Sequence, residues 1–150
     1  MIMKKVAIVC SEFNKRISVR LLEGALAYCQ EHFSKLDEEN IQKSGKGIVY
    51  NETPFMVDGA VEIPLLCQDL LATYDAIVAL GVVIKGETAH FEYVCRAVTD
   101  GVMRVMLDSG KVIGFGVLMT YDVKQAEARV VEGDTNKGWQ CVQTYIVVCC

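Results

Sequence analysis

Apolar and polar positions along the chain follow two rhythms. From Lys4 to Cys10 a short run rich in Val and Ile precedes the polar stretch SEFN, the pattern of a strand and a turn. From Ile17 the spacing becomes helical, with Ile17, Leu21, Gly24, Ala25 and Tyr28 on one stripe. Residues 34–47, SKLDEENIQKSGKG, are polar with two glycines and predict a loop or a frayed helix end. IVY and FMV predict strand pieces on either side of Asn51-Glu52-Thr53-Pro54. Pro54 has no N–H to give a ladder, so a bulge or an edge is expected there.

A second helix is marked by Ile63, Leu66, Cys67 and Leu70, with Pro64 near its start, where a missing N–H costs little. The continuous apolar run YDAIVALGVVI after it has the composition of a strand buried on both faces. Val94, Val98, Val102, Val105 and Met106 set out a third helix, and KVIGFGVLM another strand. A fourth helix is expected over about Val123 to Val131, and a fifth in NKGWQCVQTYIVVCC. This alternation predicts an α/β protein, a three-layer α/β/α sandwich with a four-stranded, mainly parallel sheet and right-handed crossovers. There is no internal repeat, low-complexity tract or linker, so residues 1–150 are expected to form one domain.

Composition narrows the class. With 52% apolar residues the chain is globular, and no apolar run reaches the roughly 18 residues needed to span a bilayer. The N-terminus MIMKKVAIVCSEFN places two lysines before an apolar run, but Glu12, Asn14 and Lys15 interrupt it and no small-residue cleavage site follows. It reads as a first strand, and the protein is expected in the cytoplasm, with no membrane partner. A net charge of −4 argues against nucleic-acid binding. The seven cysteines form no CxxC pair and mostly sit in apolar segments, so buried reduced thiols are expected. Adjacent Cys149 and Cys150 are expected to be exposed and prone to oxidation.

In open parallel sheets, ligands bind beyond the carboxyl ends of the strands, and four places satisfy that condition. After the first strand, Phe13 is an aromatic in a polar loop, suited either to stacking on a planar ligand or to sealing the sheet edge. After the second, Gly59 allows close backbone approach to a ligand, and Glu62 suits either a ligand or the dipole of the following helix. After Ile84 the chain turns at Gly86, and the N–H groups of Glu87, Thr88 and Ala89 open the next helix as a phosphate seat, with Lys85 or the Thr88 hydroxyl available to add to it. His90 follows in the first turn, either as a proton carrier beside that seat or as a surface histidine of a capped helix. The fourth place holds Phe115, Arg129 and Lys137, the latter two suited to an anion or to plain solvation. His90 and Glu92 point to different sides of a helix and the cysteines lack ligand spacing, so no metal is expected.

SEFN followed by LLEGAL, GAVEIP, ALGVVIKGETAHFEYV, FGVL, QAEAR and NKG resembles the lumazine synthase family, in order and approximate spacing, from about Val6 to Gly138. The resemblance implies a flavodoxin-like topology. It also implies a cofactor-free condensation of 5-amino-6-(D-ribitylamino)uracil with 3,4-dihydroxy-2-butanone 4-phosphate, giving 6,7-dimethyl-8-ribityllumazine with release of phosphate and water. On this resemblance Phe13 stacks on the pyrimidine ring, Gly59, Ala60 and Glu62 hold the ring and ribityl chain, and Val83 and Ile84 line the ring pocket. Gly86, Glu87 and Thr88 seat the phosphate and His90 transfers protons. Phe115, Arg129 and Lys137 come from the adjacent subunit, with Arg129 on the phosphate.

A shared site implies a homo-oligomer, and the resemblance implies a pentamer or a pentamer-based assembly. Against the family pattern, the short spacing from Arg129 to the NKG turn is that of capsid formers, whereas the chain begins almost at its first core strand without the usual extra N-terminal strand, which favours the pentamer. Asp58 stands where the family usually has proline, Val112 and Met119 replace a usual proline and threonine, and the segment from Asn40 to Val57 is longer than usual. Two other functions fit less of the pattern: an archaeal-type riboflavin synthase, and a catalytically weak flavin- or lumazine-binding assembly protein.

Overall fold

The structure, a computed structural model, describes residues 3–35 and 47–146. The sheet contains β1 (Lys4–Ser11), β2 (Ser34–Lys35), β3 (Ile48–Tyr50), β4 (Phe55–Val57), β5 (Ala76–Ile84) and β6 (Val112–Thr120). Its order is β2-β3-β1-β5-β6, with β4 also pairing with β1, and every pairing among the described residues is parallel. The expectation of four strands is therefore corrected to a sheet five strands wide. β3 and β4 lie end to end along one side of β1, the first against Lys4–Val6 and the second against Val9–Ser11. Pro54 sits in the gap between them, where no ladder bond is asked of it. The fifth strand is β2, two residues from the stretch expected to be a loop or a frayed helix end, and it adds an outer edge beside β3. The remainder of that stretch, 36–46, lies outside the described residues.

Helices cover both faces, as the alternating pattern requires. Along β1, Val6, Ile8 and Cys10 face one core and Ala7 and Val9 the other, and along β5 Val78 and Leu80 oppose Ile77 and Ala79. The first core is completed by α1 (Lys15–His32) through Ile17, Leu21, Ala25 and Cys29, and by α4 (Val123–Glu127) and α5 (Lys137–Cys141). The second is completed by α2 (Ile63–Leu70), preceded by a 3-10 turn over Ala60–Glu62, and by α3 (His90–Ser109) through Val98, Val102 and Val105. α4 is shorter than expected, because the chain leaves the helix after Glu127 and turns, with the Lys137 N–H donating to the Arg129 carbonyl at 2.8 Å. α5 continues into a π turn over Val142–Ile146. The expected exposure of Cys149 and Cys150 lies outside the described residues.

α5 docks on α1 by backbone contact. Asn136, buried, donates from Nδ2 to the Arg20 carbonyl at 3.1 Å and accepts from the Gly138 N–H at 2.8 Å. A Cβ on Gly24 would collide with the Asn136 amide, and one on Gly138 with the Leu21 carbonyl. The glycine of LLEGAL and the ends of NKG are thus one packing unit, which leaves Lys137 exposed between them.

Burial pushes the thiols of Cys10, Cys29, Cys67 and Cys141 up to about 12, so they stay protonated and unreactive at neutral pH.

Ser11, at the end of β1, is fully buried, and its hydroxyl has no hydrogen-bond partner among the described residues. A Cβ on Gly81 would come within 2.6 Å of that Oγ but only 3.6 Å from the Ser11 Cβ. Gly81→Ala should therefore destabilise the fold by about 1–3 kcal/mol. Ser11→Ala should be neutral or mildly stabilising, because it removes an unpaired buried hydroxyl. The double variant should recover most of the Gly81→Ala loss. Urea titrations of the four proteins check this, and strictly additive losses would refute the contact.

Candidate active site

A cleft of about 510 Å³ opens past the carboxyl ends of β1, β4 and β5. Phe13, Gly59, Ala60, Glu62, Val83, Ile84, Gly86, Thr88 and His90 all line it, so it gathers nearly every residue expected on the first three loops. Glu87 is the exception: it is exposed on the same loop and lines neither this cleft nor the one described below.

The wall carrying Phe13 is held by an extension of the β1–β4 pairing. The Glu12 N–H donates to the Val57 carbonyl at 2.8 Å and the Phe13 N–H to the Asp58 carbonyl at 3.0 Å. Phe13 remains 70% exposed, so its ring faces the open cleft and does not seal the sheet edge. Leaving a large aromatic in water forgoes about 1.5–3 kcal/mol of burial.

Next in the chain after that pairing, the Glu62 carboxylate does two things. Its Oε2 accepts the Gly59 N–H at 2.9 Å, closing the turn that opens α2, and the side chain also lines the cleft. The sequence left a capping role and a ligand role open, and the geometry accommodates both in one residue. Asp58, exposed, uses its carbonyl to hold Phe13, a bond that a proline at 58 would equally have allowed.

α3 begins at His90, which is exposed in the first turn. Its N–H donates to Thr88 Oγ1 at 3.3 Å. Among the described residues the N–H groups of Gly86, Glu87, Thr88 and Ala89 have no hydrogen-bond partner. Four open donors at the positive end of a 20-residue helix have the arrangement that can hold an anion, and His90 is adjacent to them. Lys85 does not join them. Its Nζ lies 3.4 Å from Glu92 Oε1 and 5.5 Å above the Tyr121 ring centroid, and the residue does not line the cleft.

Phe115, Arg129 and Lys137 are brought together elsewhere. They line a second cleft of about 450 Å³ along β6 and α5, with no residue in common with the first. Arg129 Nη1 donates to the Gln125 carbonyl at 2.7 Å and Lys137 Nζ to Gln140 Oε1 at 2.8 Å, so both cations are oriented while still exposed.

Sequence reasoning missed Val61, Val82, Phe91 and Val94 in the first cleft, and Gln140 and Thr144 in the second. Val94 carried a usable signal, since it lies four residues after His90 and so on the same helical face. Val82 and Val61 carried none beyond being apolar. Among the described residues no three His, Cys, Asp or Glu side chains group as metal ligands, and no helix is long and apolar enough to cross a membrane.

An exposed aromatic, a helix N-terminus with open donors and a histidine converge past the strand ends of a parallel α/β sandwich, the place where such sheets put their ligand clefts. Comparison with known proteins identifies the family. The family model for 6,7-dimethyl-8-ribityllumazine synthase matches residues 3–149. A protein of that name from Bdellovibrio bacteriovorus is 44% identical over 140 residues, covering 93% of this chain and 70% of its own. One from Desulfovibrio desulfuricans is 41% identical over 136 residues, 89% of this chain and 79% of its own. One from Salinispora arenicola is 53% identical over 85 residues, covering 55% and 52%. The chain belongs to the 6,7-dimethyl-8-ribityllumazine synthase family, and this match does not favour the archaeal-type riboflavin synthase.

The Glu62–Gly59 bond gives a test of how the cleft wall is held. Glu62→Ala should lower stability by about 0.5–2 kcal/mol, the usual cost of losing a capping side chain. Glu62→Gln, whose amide oxygen still accepts the Gly59 N–H, should retain most of it. Thermal melts distinguish them, and equal losses in both variants would count against the bond.

Proposed function

We propose that the chain is a transferase of riboflavin biosynthesis, one cytoplasmic domain that condenses 5-amino-6-(D-ribitylamino)uracil with 3,4-dihydroxy-2-butanone 4-phosphate. The product is 6,7-dimethyl-8-ribityllumazine, and phosphate and water are released. The observation that carries this reading is the first cleft, where an exposed Phe13, the open donors of Gly86–Ala89 and His90 face one space. The pyrimidinedione ring stacks on Phe13 beside Val83 and Ile84, and Gly59, Ala60 and Glu62 meet the ring and ribityl chain. The phosphate rests on the N–H groups of Gly86, Glu87 and Thr88.

Chemistry then needs little more than contact and proton transfer. The 5-amino group attacks the ketone carbonyl and water leaves to give an imine, and phosphate departs as a proton is lost from carbon. After tautomerisation the ribitylamino nitrogen attacks the new carbonyl and a second water leaves, closing the ring. His90, beside the anion seat, moves protons in these steps. Holding two substrates in register removes much of the entropic barrier. The anion seat stabilises the leaving phosphate throughout, without a metal or cofactor in the scheme.

Arg129, Lys137 and Phe115 enter from a neighbouring copy. This is supported by their position in a separate cleft of the same chain, where Arg129 and Lys137 are oriented and exposed and none of the three meets Phe13 or His90. Arg129 grips the phosphate, Lys137 lies beside the pocket, and the ring of copies closes as a pentamer.

Supplying both substrates and following lumazine fluorescence tests the activity directly; well-folded protein giving no product at saturation would sink it. His90→Ala should lower kcat about a hundredfold or more. Arg129→Ala should raise KM for the butanone phosphate by about tenfold or more, reflecting the loss of a charge-assisted contact. Unfolding and refolding the two variants together should restore part of the activity, because mixed assemblies pair an intact first cleft with an intact second. Activity no higher than that of either variant alone would count against a shared site.

A further inference from the structure

Asn14 stands out among the residues that the proposed reaction leaves unused. It is the only described non-glycine residue with a positive φ, at φ 60° and ψ 46°. It occupies the N-cap position of α1, where asparagine normally accepts a hydrogen bond from the first turn of the helix. Here its side chain makes no such cap. Instead Nδ2 donates to the Val82 carbonyl at 2.9 Å, across 68 residues of sequence. Two local preferences, extended backbone and a side-chain cap, are given up for one long-range bond. Backbone outliers kept by surrounding contacts often mark functional positions.

What the bond achieves follows from its neighbours. β1 lies between β4 and β5, and the loop after it is tied to both. Glu12 and Phe13 bond to the Val57 and Asp58 carbonyls on the β4 side, and Asn14 bonds to Val82 on the β5 side. Phe13 is therefore bracketed, with its ring exposed and its backbone fastened at each flank. Val82 and Phe13 both line the first cleft. We propose that Asn14 is a positioning residue that sets the distance between the Phe13 ring and the Val82–Ile84 backbone, and so fixes the width of the slot for a planar heterocycle. This deepens the proposed function and rests on it for the identity of that heterocycle.

The role divides into two parts that variants can separate. Asn14→Gly keeps access to the left-handed backbone but removes the amide. Asn14→Asp retains side-chain size and tolerance of positive φ, but at neutral pH has no proton to donate to Val82. Both should raise KM for the pyrimidinedione about three- to tenfold, the effect of losing one hydrogen bond. KM for the butanone phosphate should stay unchanged, and the thermal midpoint of Asn14→Gly should fall by no more than the loss of one hydrogen bond accounts for. An unchanged pyrimidinedione KM in Asn14→Gly, or an equal rise for both substrates, would overturn the proposal.

Amide hydrogen exchange of the ligand-free protein reads the clasp independently of turnover. The Glu12 and Phe13 N–H groups should exchange faster in Asn14→Gly than in the parent, while amides within β1 and β5 keep their protection. Unchanged exchange at Glu12 and Phe13 would overturn the proposal even if the enzyme is active. If the parent makes no lumazine, the proposed reaction fails, and the exchange result still decides whether Asn14 holds the loop.

Discussion

The parallel ladder between β1 and β5 is the constraint on which everything else rests. Its register runs from Val6 opposite Ala76 to Cys10 opposite Leu80, with both strands buried on both faces. Parallel pairing sends both strands out of the core at the same end, so the loops after Ser11 and Ile84 emerge side by side. β4 joins the same end by pairing with Val9–Ser11. A cleft at that point is a topological result, and the side chains that line it need only be carried on the emerging loops.

How legible this was depended on whether the signal was local. The continuous apolar run of β5 and the Ile17–Leu21–Ala25–Tyr28 stripe of α1 each report their own environment, and both elements appear where the pattern put them. β2 was invisible because two residues, Ser34 and Lys35, are too few to show a period. α4 was overextended because Val130 is buried, and so reads as helical, although the chain has already turned toward Lys137. At the cleft, the loops could be named from strand order alone. Side chains with competing partners could not: Lys85 belongs to Glu92 and Tyr121, and Asn14 to Val82, choices made across the fold. The separation of Phe115, Arg129 and Lys137 from Phe13 and His90 likewise has no trace in residue spacing, and only the family resemblance anticipated it.

Four exposed groups of the two clefts share a mode of support. Phe13, His90, Arg129 and Lys137 are all exposed, and none is held by packing of its own side chain in a core. Each is fixed through backbone or through one directed bond: the β4 carbonyls for Phe13, the Thr88 hydroxyl for His90, the Gln125 carbonyl for Arg129 and Gln140 for Lys137. Stability resides in the valine-, isoleucine- and leucine-rich layers behind them. Substitutions at these four positions are therefore nearly free of the usual folding penalty, which makes their kinetic effects readable as chemistry.

The α1–α5 seam has a consequence for how such a chain can change over time. Gly24 leaves room for Asn136, and Asn136 holds α5 to the backbone of Arg20 while Gly138 presses on Leu21. Any side chain at 24 must displace the amide at 136, and a smaller residue at 136 frees α5 from α1 unless position 24 fills the space. The two positions can move only together, so the route between alternative solutions passes through a less stable intermediate. Since Lys137 sits between the two anchors of that seam, drift in a packing detail far from the first cleft would carry the lysine of the second cleft with it.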